Sequence, residues 1–83
     1  MPVLVSKQKA EFERFERNMK WFHDNYEKLK AEYAGEYVAI DEGRVVGHDR
    51  GARVLIKRLR ERHEDIEAFV IEFVSKEKME LIL

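Results

Sequence analysis

Tyr33-Ala34-Gly35-Glu36-Tyr37-Val38-Ala39-Ile40-Asp41-Glu42-Gly43-Arg44-Val45-Val46-Gly47-His48-Asp49 decides the fold. Val38-Ala39-Ile40 and Val45-Val46 are short apolar runs rich in β-branched residues. The four residues between them carry turn chemistry, so the pattern predicts a β-hairpin. A three-residue loop of Asp41, Glu42 and Gly43 fits best, because Gly43 suits the left-handed position that ends such a loop. That register sets Val38 opposite Val46 and Ala39 opposite Val45. A two-residue Glu42-Gly43 loop would instead pair Ile40 with Val45, and a one-residue slip turns a strand over. A hairpin alone is marginal in water, so the flanking segments must cover it.

Outward from the hairpin, the N-terminal flank predicts one long helix. Phe12, Phe15, Met19, Phe22, Tyr26, Leu29 and Tyr33 recur at spacings of three and four, which draws an apolar stripe along a helix. Ser6 is the expected N-cap and Gly35 the expected stop. Glu13/Arg17 and Glu16/Lys20 add ion pairs one turn apart. Such a helix would be about 40 Å long, more than a short sheet covers, and Trp21 falls well away from the stripe centre. Trp21 therefore packs over the sheet edge or meets a second molecule. Met1 to Val5 is a frayed start or an added strand.

On the C-terminal flank, Asp49 is the expected cap of a second helix with Ala52, Leu55, Ile56, Leu59, His63 and Ile66 facing inward. Ala68 to Val74 reads as a strand, with Phe69, Ile71 and Phe73 on one face and Ala68, Val70, Glu72 and Val74 on the other. Met79 to Leu83 is apolar and could form a short last strand. The order helix, strand, strand, helix, strand predicts a single small α+β domain over 1–83, with the first strand central in a mainly antiparallel sheet and both helices on one face. The opposite face would then lack a cover, which favours self-association.

Eighty-three residues without cysteine exclude disulfide staples and thiolate metal sites. No signal peptide or membrane-length apolar run is present, so a cytoplasmic protein is expected. Charged residues are 40% of the chain, yet the formal net charge is only −1; this mixed-sign profile resembles that of thermophile proteins.

Catalytic chemistry is poorly supplied. The histidines are His23, His48 and His63, and nothing in their spacing makes them converge on a metal. Ser6 and Ser75 lie near the termini, and the glycines are scattered rather than gathered into a phosphate loop. Neither an enzyme nor a cofactor is expected. Between Arg44 and His63, seven basic residues stand against Asp49 and Glu61. On a helical wheel Arg50, Arg53, Lys57 and Arg60 lie opposite the Leu55/Leu59 line. A basic helix face of this kind can track phosphates.

The pattern Trp21, Asn25, Leu29, Tyr33, Gly35, Tyr37-Val38-Ala39-Ile40, Gly43, Val45-Val46, with Phe73-Val74 later, resembles a family of short archaeal and bacterial proteins catalogued as a domain of unknown function. The resemblance spans Trp21 to Val74. It implies the same small α+β domain and a role beside another protein, and it carries over no catalytic residues. The reading that follows is an interaction module, expected to be a homodimer, using Phe15, Met19, Trp21 and Phe22 with an open sheet face or edge. The alternatives are a nucleic-acid-associated protein acting through Arg50, Arg53, Lys57 and Arg60, and a small regulatory or antitoxin-like partner subunit of a second protein.

Overall fold

A computed structural model of the chain describes residues 3–63 and 65–76. The elements are α1 (Val3–Asp24), α2 (Tyr26–Tyr33), β1 (Tyr37–Asp41), β2 (Arg44–Asp49), α3 (Ala52–Arg62) and β3 (Val70–Phe73). The expected order and a small α+β fold are both present. The expected strand at Met79–Leu83 and the first two residues lie outside the described residues.

The N-terminal flank is helical from Val3, so Val3–Val5 is not an added strand and Ser6 lies inside the helix rather than capping it. At Asn25 the single long helix expected from the stripe is interrupted, with φ −111° and ψ 15°. Hydrogen bonds from Asn25 N to the Trp21 carbonyl and from Leu29 N to the Asn25 carbonyl carry the axis across the break. Gly35 stops α2 as expected, at φ +87°. Its N–H donates to the Val74 carbonyl at 2.8 Å, so the helix stop is also a sheet contact.

The three strands lie in the order β2-β1-β3, antiparallel throughout. The predicted central strand is central. The loop, however, is the two-residue one: Asp41 pairs with Arg44 and Ile40 with Val45. Glu42 and Gly43 both have positive φ, 51° and 74°, the geometry of a type I′ turn whose twist matches that of the strands. The extra residue appears inside β2 instead. Ala39 pairs with Gly47, so Val46 is bulged and Val38 faces His48. Val45 then turns toward the α1–α2 side and Val46 toward the α3 side.

The helices lie on opposite faces of the sheet, not on one. Val38, Ile40, Val70 and Val74 pack with Phe22 of α1 and Leu29 of α2. Ala39 and Phe69 pack with Leu55 and Leu59 of α3. The physical reason is the crossover. β2 and β3 both run antiparallel to β1 and hence parallel to each other, and α3 joins them over β1. The handedness of such a connection is nearly invariant, so α3 has no choice of face. The first two helices must take the other, since Val38 and Ile40 would otherwise be bare. The expectation of an uncovered sheet face is thereby overturned. Gly47 allows the close approach of α3: a Cβ there would stand 3.1 Å from Leu55 Cδ1 and 3.2 Å from Leu59 Cδ2.

Candidate interaction surfaces

The rotation of α1 about its own axis is set by polar residues. Asn18, only 2% exposed, donates from Nδ2 to Asp41 Oδ1 at 3.0 Å and to the Ala68 carbonyl at 2.8 Å. Its Oδ1 accepts from the Glu42 N–H at 3.0 Å, which holds the strained first residue of the turn. Arg14 grips both oxygens of Asp41, with Nε 2.9 Å from Oδ1. Burial pushes the Asp41 carboxyl up, but the hydrogen bonds from Arg14 and Asn18 outweigh it and hold the group below its ordinary value. Among the described residues, no buried side-chain polar atom lacks a partner. The helix therefore presents the line Arg14–Asn18–Phe22 to the sheet.

That orientation moves the aromatic stripe to a flank. At about 100° per residue, Phe12, Phe15 and Met19 sit to one side of the inward line and Trp21 to the other. Phe12 is 59% exposed and Phe15 38%. Met19 is half-buried against the core, and Phe22, at 5% exposed, belongs to it. Trp21 packs over the hairpin, its Nε1 3.8 Å from where a Cβ on Gly43 would stand. Of the four contact residues expected from sequence, only Phe15 is prominently exposed, and Phe12 joins it. Neither Glu13/Arg17 nor Glu16/Lys20 forms among the described residues; Lys20 pairs with Asp24 at 2.8 Å instead.

The basic surface lies where the sequence placed it. Arg53, Lys57 and Arg60 are exposed on α3 opposite buried Leu55 and Leu59, while Arg50, also exposed, precedes the N-cap instead of lying on the helix. Among the described residues none of the four forms an ion pair. Arg58 differs, bonding Asp49 at 3.0 Å and reaching the His48 carbonyl at 3.3 Å. With the bulge, this cation blunts the outer edge of β2 against strand addition. Asp49 accepts from the Gly51 N–H at 2.8 Å but lies two residues before the N-cap, which is Gly51 and not Asp49 as expected. The Gly51 bond and then Arg58 hold the Asp49 carboxyl below its ordinary value.

Beside that edge a cleft of about 410 Å³ lies between Tyr33 and Arg62. His48 Nδ1 is 2.7 Å from Glu36 Oε1, and its ring stands 4.8 Å from that of Tyr33. An imidazole oriented by a carboxylate resembles part of a proton relay. The hydroxyl in the lining is the Tyr33 phenol, which burial, Glu32 and Glu36 push up, so it is a poor nucleophile. His63 ends α3 and meets Phe69 edge-on. Glu11, Asp65 and Glu67 bring carboxylate oxygens within 4.8 Å of one another, hard ligands of the kind calcium or magnesium takes. That grouping, assembled from distant segments, was invisible in the sequence. Among the described residues no helix is long and apolar enough to cross a membrane.

Fold and surfaces together define a small α+β domain built on a hairpin, with its two helical layers separated by the sheet. Residues 28–77 match a family of unknown function (DUF5678), and the chain belongs to that family. The matched segment runs from α2 through β3, so the Arg14–Asn18 node and the Phe12/Phe15 flank lie ahead of it. No curated protein and no solved structure gives a match.

Proposed function

We propose that the protein is a cytoplasmic, non-catalytic interaction module that pairs with a second copy of itself through the free flank of α1. The observation that carries this reading is the exposure of Phe12 and Phe15 side by side on a helix whose inward line is already filled. A second copy is the favoured occupant because the charges complement themselves. In an antiparallel pair that sets Phe12 on Phe15 of the other copy, Lys9 comes beside Glu16 of the other copy, twice by symmetry.

A fully buried Phe contributes about 200 Å². The exposed fractions therefore leave about 190 Å² of aromatic surface per protomer, or roughly 9 kcal/mol for the pair at about 25 cal/mol per Å². Association itself costs about 4–15 kcal/mol, which leaves at most about 5 kcal/mol and so a dissociation constant no tighter than about 0.2 mM. Sedimentation equilibrium from about 50 μM to about 2 mM, a range that spans this constant, tests this. The wild-type chain is expected to dimerise, and Phe12→Glu/Phe15→Glu to stay monomeric with unchanged circular dichroism. Lys9→Glu alone should weaken the dimer, and adding Glu16→Lys should restore it. A wild-type monomer at every concentration, or a double-Glu variant that dimerises equally well, overturns the reading.

A further inference from the structure

We infer that the outward face of α3 docks on the phosphate backbone of a nucleic-acid duplex. Arg53, Lys57 and Arg60 form a single row along α3 at spacings of four and three residues, and Arg50, exposed, stands just before the Gly51 N-cap. The helical row is about 10 Å long. It lies diametrically opposite Leu55 and Leu59, so packing neither requires nor shields it. Like charges one turn apart oppose helix formation, and among the described residues no carboxylate pairs with any of the four to relieve them. The order of charges along α3 also runs against its dipole at one end. No acidic residue occupies the first turn, and Arg53 sits there, at the end that disfavours cations. Arg60 and Arg62 in the last turn suit the dipole; Arg50 and Arg53 gain nothing from it. A row kept at the expense of local stability, with no return within the chain, points to an anionic ligand outside it.

The chemistry of the row selects among polyanions. Three of the four cations are guanidinium groups, whose fork matches phosphate oxygens. No aromatic ring stands on the outward face, where Val54 is the exposed apolar residue, so a stacking platform for single-stranded bases is missing. A straight cationic rod fits the regularly charged wall of a duplex groove. The near-zero net charge does not oppose this: exposed Glu61 stands beside the row, but much of the remaining negative charge lies elsewhere. Glu13 and Glu16 are on α1, behind the sheet from α3, and Glu11, Asp65 and Glu67 gather where α1 meets the loop before β3. The inference is independent of pairing through α1, but compatible with it, since the sheet separates the two surfaces and a dimer would carry two basic faces.

The test is fluorescence anisotropy of a labelled mixed-sequence DNA duplex, its RNA counterpart and the single strand, titrated with the full chain over a salt series. Four phosphate contacts predict a slope of log K against log salt of about −3.6, hence a roughly hundred-fold loss of affinity between about 50 and 200 mM salt. Arg53→Glu/Lys57→Glu should abolish binding or reduce the slope by about two. Arg17→Glu/Lys28→Glu, the same charge change on α1 and α2, should leave both affinity and slope near wild type. Phe12→Glu/Phe15→Glu should bind each duplex site normally, so that a failed dimer and a failed basic face are told apart. Absence of a complex at low salt overturns the inference, as does equal weakening by the two charge-reversal pairs. Tighter binding to the single strand, or binding only to poly-glutamate or phosphatidylglycerol vesicles, does so too.

Discussion

Replacing Asn18 by Ala should unfold the link between α1 and the hairpin. Three hydrogen bonds are lost, to the Asp41 carboxylate, the Ala68 carbonyl and the Glu42 N–H. Glu42 is exposed, so water recovers much of its share. The bond to a buried carboxylate contributes about 1.5–3 kcal/mol and the neutral ones about 0.5–1.5 each, which sums to roughly 3–4 kcal/mol. A chain of this length has about 4–12 kcal/mol in all, so much of the stability rests on one side chain. The melting temperature should fall by about 15–25 °C. Urea unfolding at neutral pH, followed by Trp21 fluorescence and far-ultraviolet circular dichroism, measures it. Asn18→Asp should be worse still, since it sets a second carboxylate against Asp41. A loss under about 1 kcal/mol for Asn18→Ala would refute the idea that this node fixes the rotation of α1. It would also remove the explanation for why Phe12 and Phe15 face outward.

Gly47→Ala should cost about 1–2 kcal/mol, because its Cβ would press on two buried leucines; a thermal melt unchanged from wild type would mean that α3 can ride higher on β2. Acid should destabilise the chain through Asp41. Its carboxyl is held below the ordinary value, so its contribution is complete above that value and is lost as pH falls through the lowered one. The urea midpoint should therefore drop on acidification below about pH 4, and the drop should be smaller in Asp41→Asn; identical pH profiles for the two chains would contradict the assignment.

Most of the fold was legible because two periods were clean. The run Val38-Ala39-Ile40, apolar at every position, announced the central strand, though not that the chain itself covers both its faces, and Gly35 announced a helix end. The outward row of α3 was equally plain, since Leu55 and Leu59 fix which side is wet. What escaped reading depended on contacts between distant segments. Arg14 and Asn18 look like surface residues in an apolar stripe, yet with Phe22 they lie on one helical line, and only Asp41 and the Ala68 carbonyl make that line the buried one. The turn length escaped for the same reason: Asn18 steadies Glu42 in its left-handed conformation, which frees the hairpin from needing a three-residue loop. The bulge at Val46 then answers to Gly47 and its neighbours on α3.

The covered sheet changes what the interaction reading stands on. An open face would have been a large, indiscriminate apolar surface; with helices on both sides, that source of association is gone among the described residues. Beside single exposed residues such as Phe73 on β3 and Val54 on α3, what is left is narrow and directional, two rings on one flank of α1 and four cations on and just before α3. A flank of two rings supports only weak pairing by area, while a row of cations gains its strength from counterion release and loses it in salt. Joined in one dimer, two weak basic faces on a shared duplex would gain through effective concentration what neither supplies alone. The α1 segment ahead of the family match would then act chiefly by presenting the family domain twice.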